Sequence, residues 1–463
     1  MIVKKLAIFR FEASSIIGAG HAIRSCVLAD ALIEEDWICK VVTTLTTYDF
    51  IPKMDRFERI EPKNFYDNPI TCNLLVVDNY ELDQVYESHF RLFAKKIMVI
   101  DDLANRMHDC DILLDQTYGR DAESYKDLVP QHCKVLAGSD YVLLRKEFIE
   151  LRPKALEKRR QTTEVKRILV SMGGGDQQNY TLKALEAVKE SGFTGAIDIV
   201  LGFTSTNTES VKNYVASLPN ECTIHVNADM PKIMYDADLA IGAAGTSVWE
   251  RCCLGLPQYL FQIAENQSDI IKKFTHSNFM TFYVATNTAY QEYVSFRNID
   301  GLGVLRLMCY LNPTYDKANY FISHTKICEK DIDLIFNWQQ SSELRRFSFN
   351  QEKPSCEEHK KWFCEKLICA SIFEKIIANE VPCGALRLDY CFENNSWKLS
   401  WYILPEFQRK GIGTIALNFS KKLAVGKMVN AFVFKENISS QKAMKKADFK
   451  LITNDQNGFY YAC

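Results

Sequence analysis

The strongest constraint on the fold of this chain is an alternation of short apolar runs with stretches of helical character. In residues 1–145 the runs occur at 6–9, 39–42, 74–77, 97–100 and 112–114. Such alternation predicts a parallel sheet covered by helices on both faces. A second series of runs occurs at 167–172, 196–201, 223–226, 238–242 and 259–261. We therefore predict two successive α/β domains, with the charged stretch 152–160 as their linker.

The last 140 or so residues follow a different pattern. Two strand-like runs, 371–377 and 383–388, flank turn residues and predict an antiparallel hairpin, and 398–404 is the next strand. Charge marks the same division, because residues 323–463 carry 21 basic and 16 acidic side chains (net +5), against 35 and 42 (net −7) before them. The predicted domains are two Rossmann-like domains at 1–150 and 163–322 and an α+β domain at 323–463.

Overall charge and cysteine spacing exclude several classes of protein. The net charge of −2 argues against nucleic acid or an anionic membrane as a partner. The sixteen cysteines form no C-x-x-C or Cys/His ligand spacing, which favours reduced thiols in a cytoplasmic protein and no metal site. The first residues predict a strand rather than a signal peptide, because Arg10 and Glu12 interrupt the apolar run.

A glycine-rich turn connects the first predicted strand to the first helix. Gly18 and Gly20 lie in this turn, and His21 follows directly. Glycines let the backbone approach a ligand closely, and a helix N-terminus attracts negative charge. His21 is therefore placed to present its imidazole to a cleft at the carboxyl ends of the strands, either as an acid/base group or as a capping and packing residue.

The second predicted domain has two turns of the same kind. Residues 173–176 follow a strand directly, so that their backbone amides either cradle a phosphate or form a structural tight turn. In the strand-turn-helix run 238–257, Thr246 and Ser247 can donate hydrogen bonds to a phosphate. Glu250 lies one turn into that helix. Its carboxylate either accepts hydrogen bonds from both ribose hydroxyls of a nucleotide or is solvated and favoured there by the helix dipole.

Several motifs taken together resemble the UDP-sugar hydrolases of pseudaminic acid biosynthesis, over roughly residues 1–310. They are IGxGHxxR at 17–24, VIDDLA at 99–104 with HDCD at 108–111, LDQ at 114–116, SMGGGD at 171–176, and WERCCLGLP at 249–257 with Asn266 and Gln267. The resemblance implies a glycosyltransferase-B arrangement of the two Rossmann-like domains. It also implies release of UDP from UDP-2,4-diacetamido-2,4,6-trideoxy-β-L-altropyranose by water attack at the anomeric carbon, without a metal.

The same resemblance assigns roles to individual residues. It makes His21 the catalytic acid/base, with Tyr80 as a second catalytic candidate. Asn79 departs from the pattern, because relatives often have histidine there. The paired carboxylates Asp101 and Asp102 suggest either strand-end hydrogen bonding, which we favour, or a metal site. The implied substrate-binding residues are Gly20, Arg24, Gly174, Gly175, Thr246, Ser247, Glu250, Asn266 and Gln267.

A second glycine-rich turn of high specificity lies in the third predicted domain. Gln408-Arg-Lys-Gly411-Ile-Gly413 connects a strand to a helix and presents successive backbone amides to a diphosphate, with two basic side chains beside them. The turn resembles the acetyl-CoA pyrophosphate loop of the Gcn5-related N-acetyltransferases (GNAT), a likeness that covers residues 323–463. The implied cofactor-binding residues are Leu404, Gln408, Arg409, Lys410, Gly411, Gly413, Thr414 and Asn437.

The acceptor side of this domain carries a further likeness. Trp338 and the segment 357–362 resemble the helices of the branch that acetylates the 4-amino group of UDP-4-amino-4,6-dideoxy-N-acetyl-β-L-altrosamine. Tyr460 is our candidate acid/base residue, and Tyr461 is an alternative. At 447–449 the chain has Ala-Asp-Phe where relatives usually have Gly-Phe, so the preceding helix must be capped differently.

These patterns predict a bifunctional enzyme with consecutive reactions. The third domain would acetylate a UDP-4-amino sugar with acetyl-CoA, and the first two domains would hydrolyse the product to UDP and the free diacetamido sugar. One alternative is a UDP-dependent glycosyltransferase fused to an acetyltransferase of other specificity. Another is a third domain that only senses acetyl-CoA. The sequence leaves the oligomeric state open.

Overall fold

The chain forms two compact units, Met1–Val304 and Leu305–Cys463. The computed structural model describes residues 4–14, 17–173, 176, 178–202, 205–226, 228–263, 299–368 and 371–463. The first unit contains two parallel sheets and the second contains one largely antiparallel sheet. The α/β fold predicted for the two leading domains is confirmed, and each predicted strand run overlaps an observed strand.

The first sheet has seven parallel strands in the order β3-β2-β1-β4-β5-β6-β7. The strands are β1 (Leu6–Phe11), β2 (Ile38–Val42), β3 (Glu58–Ile60), β4 (Leu74–Asp78), β5 (Ile97–Ile100), β6 (Ile112–Asp115) and β7 (Lys134–Ala137). The helices are α1 (Gly20–Glu34), α2 (Leu45–Phe50), α3 (Pro62–Asp67) and α4 (Gln84–Phe90). Every residue of β4, β5 and β6 is buried, as expected for strands covered by helices on both faces.

The second sheet has five parallel strands in the order β10-β9-β8-β11-β12. They are β8 (Arg167–Ser171), β9 (Ala196–Leu201), β10 (Cys222–Val226), β11 (Leu239–Ala243) and β12 (Gln258–Phe261). The helices are α5 (Lys146–Gln161), α6 (Tyr180–Glu190), α7 (Thr208–Val215), α8 (Met230–Asp236) and α9 (Ser247–Cys253). The charged stretch 152–160 is part of α5 rather than an irregular linker, and its Arg159 is buried and donates to Ala237 O at 2.6 Å.

The second unit has an eight-stranded sheet in the order β13-β14-β15-β16-β17-β18-β20-β19. Its strands are β13 (Thr314–Tyr315), β14 (Phe321–Lys326), β15 (Ile372–Ala378), β16 (Val381–Cys391), β17 (Ser396–Ile403), β18 (Val429–Phe434), β19 (Lys450–Asn454) and β20 (Gly458–Ala462). The helices are α10 (Gly303–Leu311), α11 (Ile332–Gln339), α12 (Ser342–Arg345), α13 (Cys356–Ile368), α14 (Ile412–Leu423) and α15 (Ile438–Lys446).

One pair of strands in this sheet separates along its length. β17 and β18 are parallel and are paired only at Trp397–Val429, Lys398–Asn430 and Leu399–Ala431. The rest of β17 remains paired with β16, where Ala385 is opposite Tyr402. Unpaired backbone groups need other partners, so the groups that border the gap between the ends of β17 and β18 are not satisfied by this strand pair.

A buried charged cluster joins α10 to the sheet of the second unit. Arg306 on α10 donates to Glu374 on β15, and His324 on β14 has its Nδ1 2.8 Å from Glu374 Oε2. All three side chains are buried. Residue 323, at which the sequence pattern starts the third domain, lies inside β14, and the second compact unit begins earlier, at Leu305 within α10.

Among the helices of the described ranges, none is both long enough and apolar enough to cross a membrane.

Candidate functional site

Strand order places the predicted motifs of the first unit at two switch points. In the first sheet the order reverses between β1 and β4, and in the second between β8 and β11. Open α/β sheets bind ligands in the crevice at the carboxyl ends of the strands beside such a reversal. His21 follows β1, and Thr246 follows β11. The topology thus gives a physical reason for these turns to carry function.

His21 is held by a carboxylate that ends β4. Its Nδ1 lies 2.5 Å from Oδ1 of Asp78, and both residues are buried. Burial opposes ionisation of Asp78, but the neighbouring Arg24 and His21 outweigh it and lower the pKa of that carboxyl. An ionised Asp78 accepts the Nδ1 proton of His21, so that Nε2 keeps its lone pair for proton transfer.

Arg24 completes this site one helical turn after His21. Its Nε and Nη2 donate to the two oxygens of Asp78 at 2.7 and 2.6 Å, and its Nη1 donates to Asp102 at 3.0 Å. The bidentate pair aligns the carboxylate for His21. The ring of Tyr80 meets the imidazole edge to face, with the centroids 4.5 Å apart. The sequence-predicted residues His21, Arg24 and Tyr80 are therefore neighbours.

The turns after β1 and β11 approach each other across the first unit. A Cβ placed on Gly20 would lie 3.0 Å from Cγ2 and 3.4 Å from Oγ1 of Thr246. Such a distance is close for carbon atoms, so a side chain at position 20 would require the Thr246 side chain to shift by a few tenths of an ångström. The absence of a side chain at Gly20 lets the Thr246 hydroxyl lie beside the His21 turn.

Glu250 lies on helix α9 and is largely, but not fully, buried. Its Oε1 accepts from Nη2 of Arg145 at 3.1 Å, and 13% of its side chain is exposed. Burial raises the pKa of this carboxyl, although Arg145 opposes the shift. Ser247 is the first residue of the same helix. Gly174, Gly175, Asn266 and Gln267, which the sequence also predicts to bind the nucleotide, lie outside the described residues.

Asp101 and Asp102 both accept hydrogen bonds from neighbouring side chains. Asp101 accepts from Arg106 at 2.7 Å and from Tyr125 at 2.9 Å, whereas Asp102 accepts from Arg24. No group of three or more potential metal-ligating side chains occurs within the described ranges. Asn79, the departure noted in the sequence, accepts the backbone N–H of Glu81 at 2.8 Å and so stabilises the turn after β4.

The predicted diphosphate loop of the second unit contains left-handed backbone. Arg409 and Gly411 have φ of 63° and 96°, and Gly411 is the N-cap of α14. Glycine adopts this left-handed conformation without steric cost. A Cβ on Gly413 would have Ile403 Cγ1 3.9 Å away as its nearest neighbour. Thr414 N donates to Gly411 O at 3.0 Å, within the first turn of α14.

The other predicted cofactor residues lie around this loop. Leu404 N already donates to Cys383 O at 2.9 Å, and Gln408 Nε2 donates to Ile403 O at 3.0 Å. The ammonium of Lys410 is 5.0 Å from the ring of Tyr320. Asn437 is the N-cap of α15, where its side chain accepts from Ser440 N at 3.1 Å. The side chain of Asn437 therefore has a structural role besides any contact with a cofactor.

Tyr460, the predicted acid/base residue of this domain, stays a prediction. It is exposed on β20, and its hydroxyl donates to Asp455 at 2.9 Å in the turn that precedes this strand. This hydrogen bond raises the pKa of Tyr460, so its phenol gives up a proton less readily. Tyr461, the alternative, is buried.

Tyr402 on β17 is a better placed hydroxyl. Its oxygen is buried and has no hydrogen-bond partner among the described residues. The rings of Tyr402 and Trp338 meet edge to face, with their centroids 5.9 Å apart. Trp362 packs against the same apolar cluster. The guanidinium carbon of Arg387 lies 5.2 Å from the Trp362 ring centroid. A buried hydroxyl without a partner is costly unless a ligand supplies one.

The residue after α15 explains the departure at 447–449. Asp448 has φ of 56°, the left-handed conformation that relatives obtain with glycine. Phe449 N donates to Met444 O at 3.0 Å, and Lys421 Nζ donates to Ala447 O at 2.6 Å. The helix is thus capped by an aspartate and a lysine from α14.

Sequence reasoning missed three residues of these sites. Asp78 could have been found as a carboxylate at the end of a buried apolar strand. Arg145 and Tyr402 carry no such signal, because their importance depends on the distant residues they contact, Glu250 and Trp338.

Comparison with known proteins identifies one domain and three relatives. Residues 325–450 match the acetyltransferase (GNAT) domain family. The chain is 28% identical over 254 residues to the UDP-2,4-diacetamido-2,4,6-trideoxy-β-L-altropyranose hydrolase of Campylobacter jejuni, which covers 53% of this chain and 88% of the relative. It is 25% identical over 281 residues to the spore coat polysaccharide biosynthesis protein SpsG of Bacillus subtilis, covering 56% and 77%.

A third relative aligns over more of the chain. An uncharacterized protein of Methanocaldococcus jannaschii is 23% identical over 384 residues, which cover 78% of both chains. The chain is therefore homologous to the hydrolase and to SpsG, and its second unit is an acetyltransferase domain of the GNAT fold.

Proposed function

We propose that the chain is a bifunctional sugar-nucleotide enzyme of pseudaminic acid biosynthesis. Its second unit acetylates the 4-amino group of UDP-4-amino-4,6-dideoxy-N-acetyl-β-L-altrosamine with acetyl-CoA. Its first unit then hydrolyses the product, UDP-2,4-diacetamido-2,4,6-trideoxy-β-L-altropyranose, to UDP and the free sugar. In this proposal the two parallel-sheet domains of the first unit have the glycosyltransferase-B arrangement.

The observation that carries the hydrolase proposal is the approach of the Thr246 turn to the His21 turn. A Cβ on Gly20, next to the catalytic candidate, would lie only 3.0 Å from Thr246 Cγ2, which shows how close the two turns are. A phosphate bound by Thr246 and Ser247 would thus lie beside His21. The hydrolase of Campylobacter jejuni, a homologue, is named for this chemistry.

The His21–Asp78 pair supports a specific sequence of proton transfers. Nε2 of His21 takes a proton from water as the water oxygen attacks the anomeric carbon, and Asp78 stabilises the imidazolium that forms. The bond between the anomeric carbon and the β-phosphate oxygen breaks, and its electron pair leaves with UDP. Glu250 accepts hydrogen bonds from the ribose hydroxyls of the uridine and so holds the leaving group in place.

The acetyltransferase proposal rests on the loop 404–414 and on the gap between β17 and β18. The loop's left-handed residues Arg409 and Gly411 turn backbone amides toward the start of α14, where a diphosphate is favoured. The pantetheine arm of acetyl-CoA fits between the separating strands. The 4-amino nitrogen attacks the thioester carbonyl, the carbon–sulfur bond breaks, and CoA leaves as a thiolate. The nitrogen loses one proton as the amide forms, and the thiolate takes up one proton, so that the products are the acetamido sugar and CoA.

Tyr402 is the acceptor-side residue that we assign to this reaction. Burial raises the pKa of its phenol, so that the hydroxyl stays protonated and can donate to the sugar nucleotide. Trp338 and Trp362 lie on the two helices that the sequence relates to acceptor binding. The aromatic cluster supplies an apolar wall for a 6-deoxy sugar.

The direct test uses the full-length protein and two substrates. With UDP-2,4-diacetamido-2,4,6-trideoxy-β-L-altropyranose alone, we expect release of UDP without any acceptor, which NMR and anion-exchange chromatography measure. With the UDP-4-amino sugar and acetyl-CoA, we expect free CoA first and UDP afterwards. UDP that appeared only after addition of an acceptor sugar would instead indicate a glycosyltransferase.

A matched pair of histidine variants links the activity to the site. His21→Ala should abolish UDP release and leave CoA release unchanged. His21 belongs to the first unit, whereas we assign the acetyl transfer to the second. His89→Ala, at an exposed position on α4, should leave both activities unchanged. Unimpaired UDP release by His21→Ala would contradict the catalytic role.

A further inference from the structure

The contact between Arg145 and Glu250 joins two distant parts of the first unit. Arg145 is the residue before α5, in the segment that follows the first sheet, whereas Glu250 lies on α9 of the second sheet. Its guanidinium carbon is 5.0 Å from the ring centroid of Phe148, which is fully buried. The guanidinium is therefore held between an aromatic ring and the Glu250 carboxylate.

Three charged side chains influence the ionisation of Glu250. Arg145 and Arg251 favour the carboxylate form, and Glu147 disfavours it. Arg251 directs its Nη2 to Ala243 O at 2.7 Å, away from the carboxylate. Arg145 is thus the cation in direct contact with Glu250, at 3.1 Å.

The protonation state of Glu250 decides what it can bind. An ionised carboxylate has acceptor sites for two hydroxyl donors, whereas a protonated one has lost part of that capacity. We propose that Arg145 is a positioning residue that keeps Glu250 ionised and oriented, so that it accepts hydrogen bonds from both ribose hydroxyls of a bound uridine nucleotide. This inference rests on the proposed function, because it requires the first unit to bind UDP at Glu250.

The experiment compares two nucleotides that differ only in the ribose hydroxyls. Isothermal titration calorimetry gives the dissociation constants of UDP and 2′,3′-dideoxy-UDP for the full-length protein between pH 6 and 9. Their ratio isolates the hydroxyl contacts, since titration of the phosphate affects both nucleotides. For the wild type we expect UDP to bind at least tenfold more tightly, a factor that corresponds to about 1.4 kcal/mol.

Removal of the Arg145 charge should make this ratio depend on pH. In Arg145→Gln, the pKa of Glu250 rises, so the preference for UDP should be lost near pH 6 and regained as the pH increases. Arg145→Lys keeps a cation and should restore most of the preference at pH 6. Glu250→Gln should lack the preference at every pH.

The possible outcomes separate this role from others. If Arg145→Gln weakens both nucleotides equally and leaves their ratio unchanged, the arginine contacts the diphosphate and the positioning role is wrong. A ratio in Arg145→Gln that equals the wild-type ratio at every pH also overturns it. If the wild type itself does not distinguish UDP from the dideoxy nucleotide, the uridine site at Glu250 is wrong, and the role of Arg145 with it.

Discussion

Replacement of Asp78 by asparagine tests the central feature of the hydrolase site. The carboxylate accepts hydrogen bonds from His21, from two nitrogens of Arg24 and from Ser25. Asparagine keeps the shape but removes the charge and one acceptor oxygen. Arg24, which is 3% exposed, then keeps only Asp102 as a carboxylate partner among the described residues. Loss of one partner from a buried ion pair costs about 3–5 kcal/mol.

Asp78→Asn should also slow the hydrolysis reaction itself. Without the carboxylate, His21 loses the group that holds the proton on Nδ1, and general acid–base catalysis is worth about 10²–10⁴-fold in rate. We therefore expect UDP release in a single turnover to slow by at least about 10²-fold. Urea unfolding followed by tryptophan fluorescence gives the stability of the same sample.

Asp102→Asn is the matched control for this substitution. Asp102 also contacts Arg24, at 3.0 Å, and 23% of its side chain is exposed. In the part of the chain that the structure describes, it is Asp78 and not Asp102 that bonds to the imidazole. Its loss should cost about 1–3 kcal/mol and slow UDP release less than about tenfold. Equal rate losses in the two variants would refute the argument, because the effect would then come from Arg24 alone.

The acid side of the stability profile gives a further check on Asp78. Its pKa is lowered in the folded protein, from about 3.9 in an unfolded chain. Stability from this group is therefore fully present above about pH 4 and is lost as the pH falls through the folded pKa. The stability difference between wild type and Asp78→Asn should be constant at neutral pH and should shrink below about pH 4.

Three further predictions concern other parts of the two sites. Gly20→Ala should slow UDP release about tenfold, because the new Cβ would displace Thr246. The double variant Gly20→Ala with Thr246→Ser should recover much of the rate, because it lacks Cγ2 of Thr246. If the rate does not recover, the contact between the two turns does not limit UDP release. Tyr402→Phe should raise KM for the UDP-4-amino sugar by about five- to tenfold without changing KM for acetyl-CoA. The control variant Tyr390→Phe should change neither KM. A change in KM for acetyl-CoA alone would place the Tyr402 hydroxyl on the cofactor side. Gly411 has φ of 96°, which alanine adopts only with strain. Gly411→Ala should therefore weaken acetyl-CoA binding about tenfold in calorimetry, while UDP release stays normal. Unchanged acetyl-CoA binding would exclude this loop as the diphosphate site.

Much of the fold follows from local patterns in the sequence. The runs 74–77 and 97–100 are continuous apolar segments, and the structure buries each of them as a central parallel strand. Gly411 and the residues around it identify a strand-to-helix loop, because a left-handed backbone favours glycine. Such features depend on neighbouring residues only, so the sequence alone is enough to predict them.

The contacts that make the sites depend on tertiary structure. Asp78 lies 57 residues from His21, and Glu250 lies 105 residues from Arg145. These separations are far longer than the three- to four-residue spacing within a helix or the two-residue spacing within a strand, so no local pattern predicts the contacts. These pairs meet because β1 lies beside β4 and because α5 packs against α9, which are outcomes of the whole packing.

The sequence by itself determined the two parallel-sheet domains, the acetyltransferase loop, and His21, Arg24 and Tyr80 as candidates. Only the tertiary structure decided that Asp78 orients His21, that Tyr402 rather than Tyr460 has the free buried hydroxyl, and that Arg145 reaches Glu250. The physical reason is that strand and turn preferences act between near neighbours in the chain, whereas charge pairing and burial depend on which segments the packed sheets bring together.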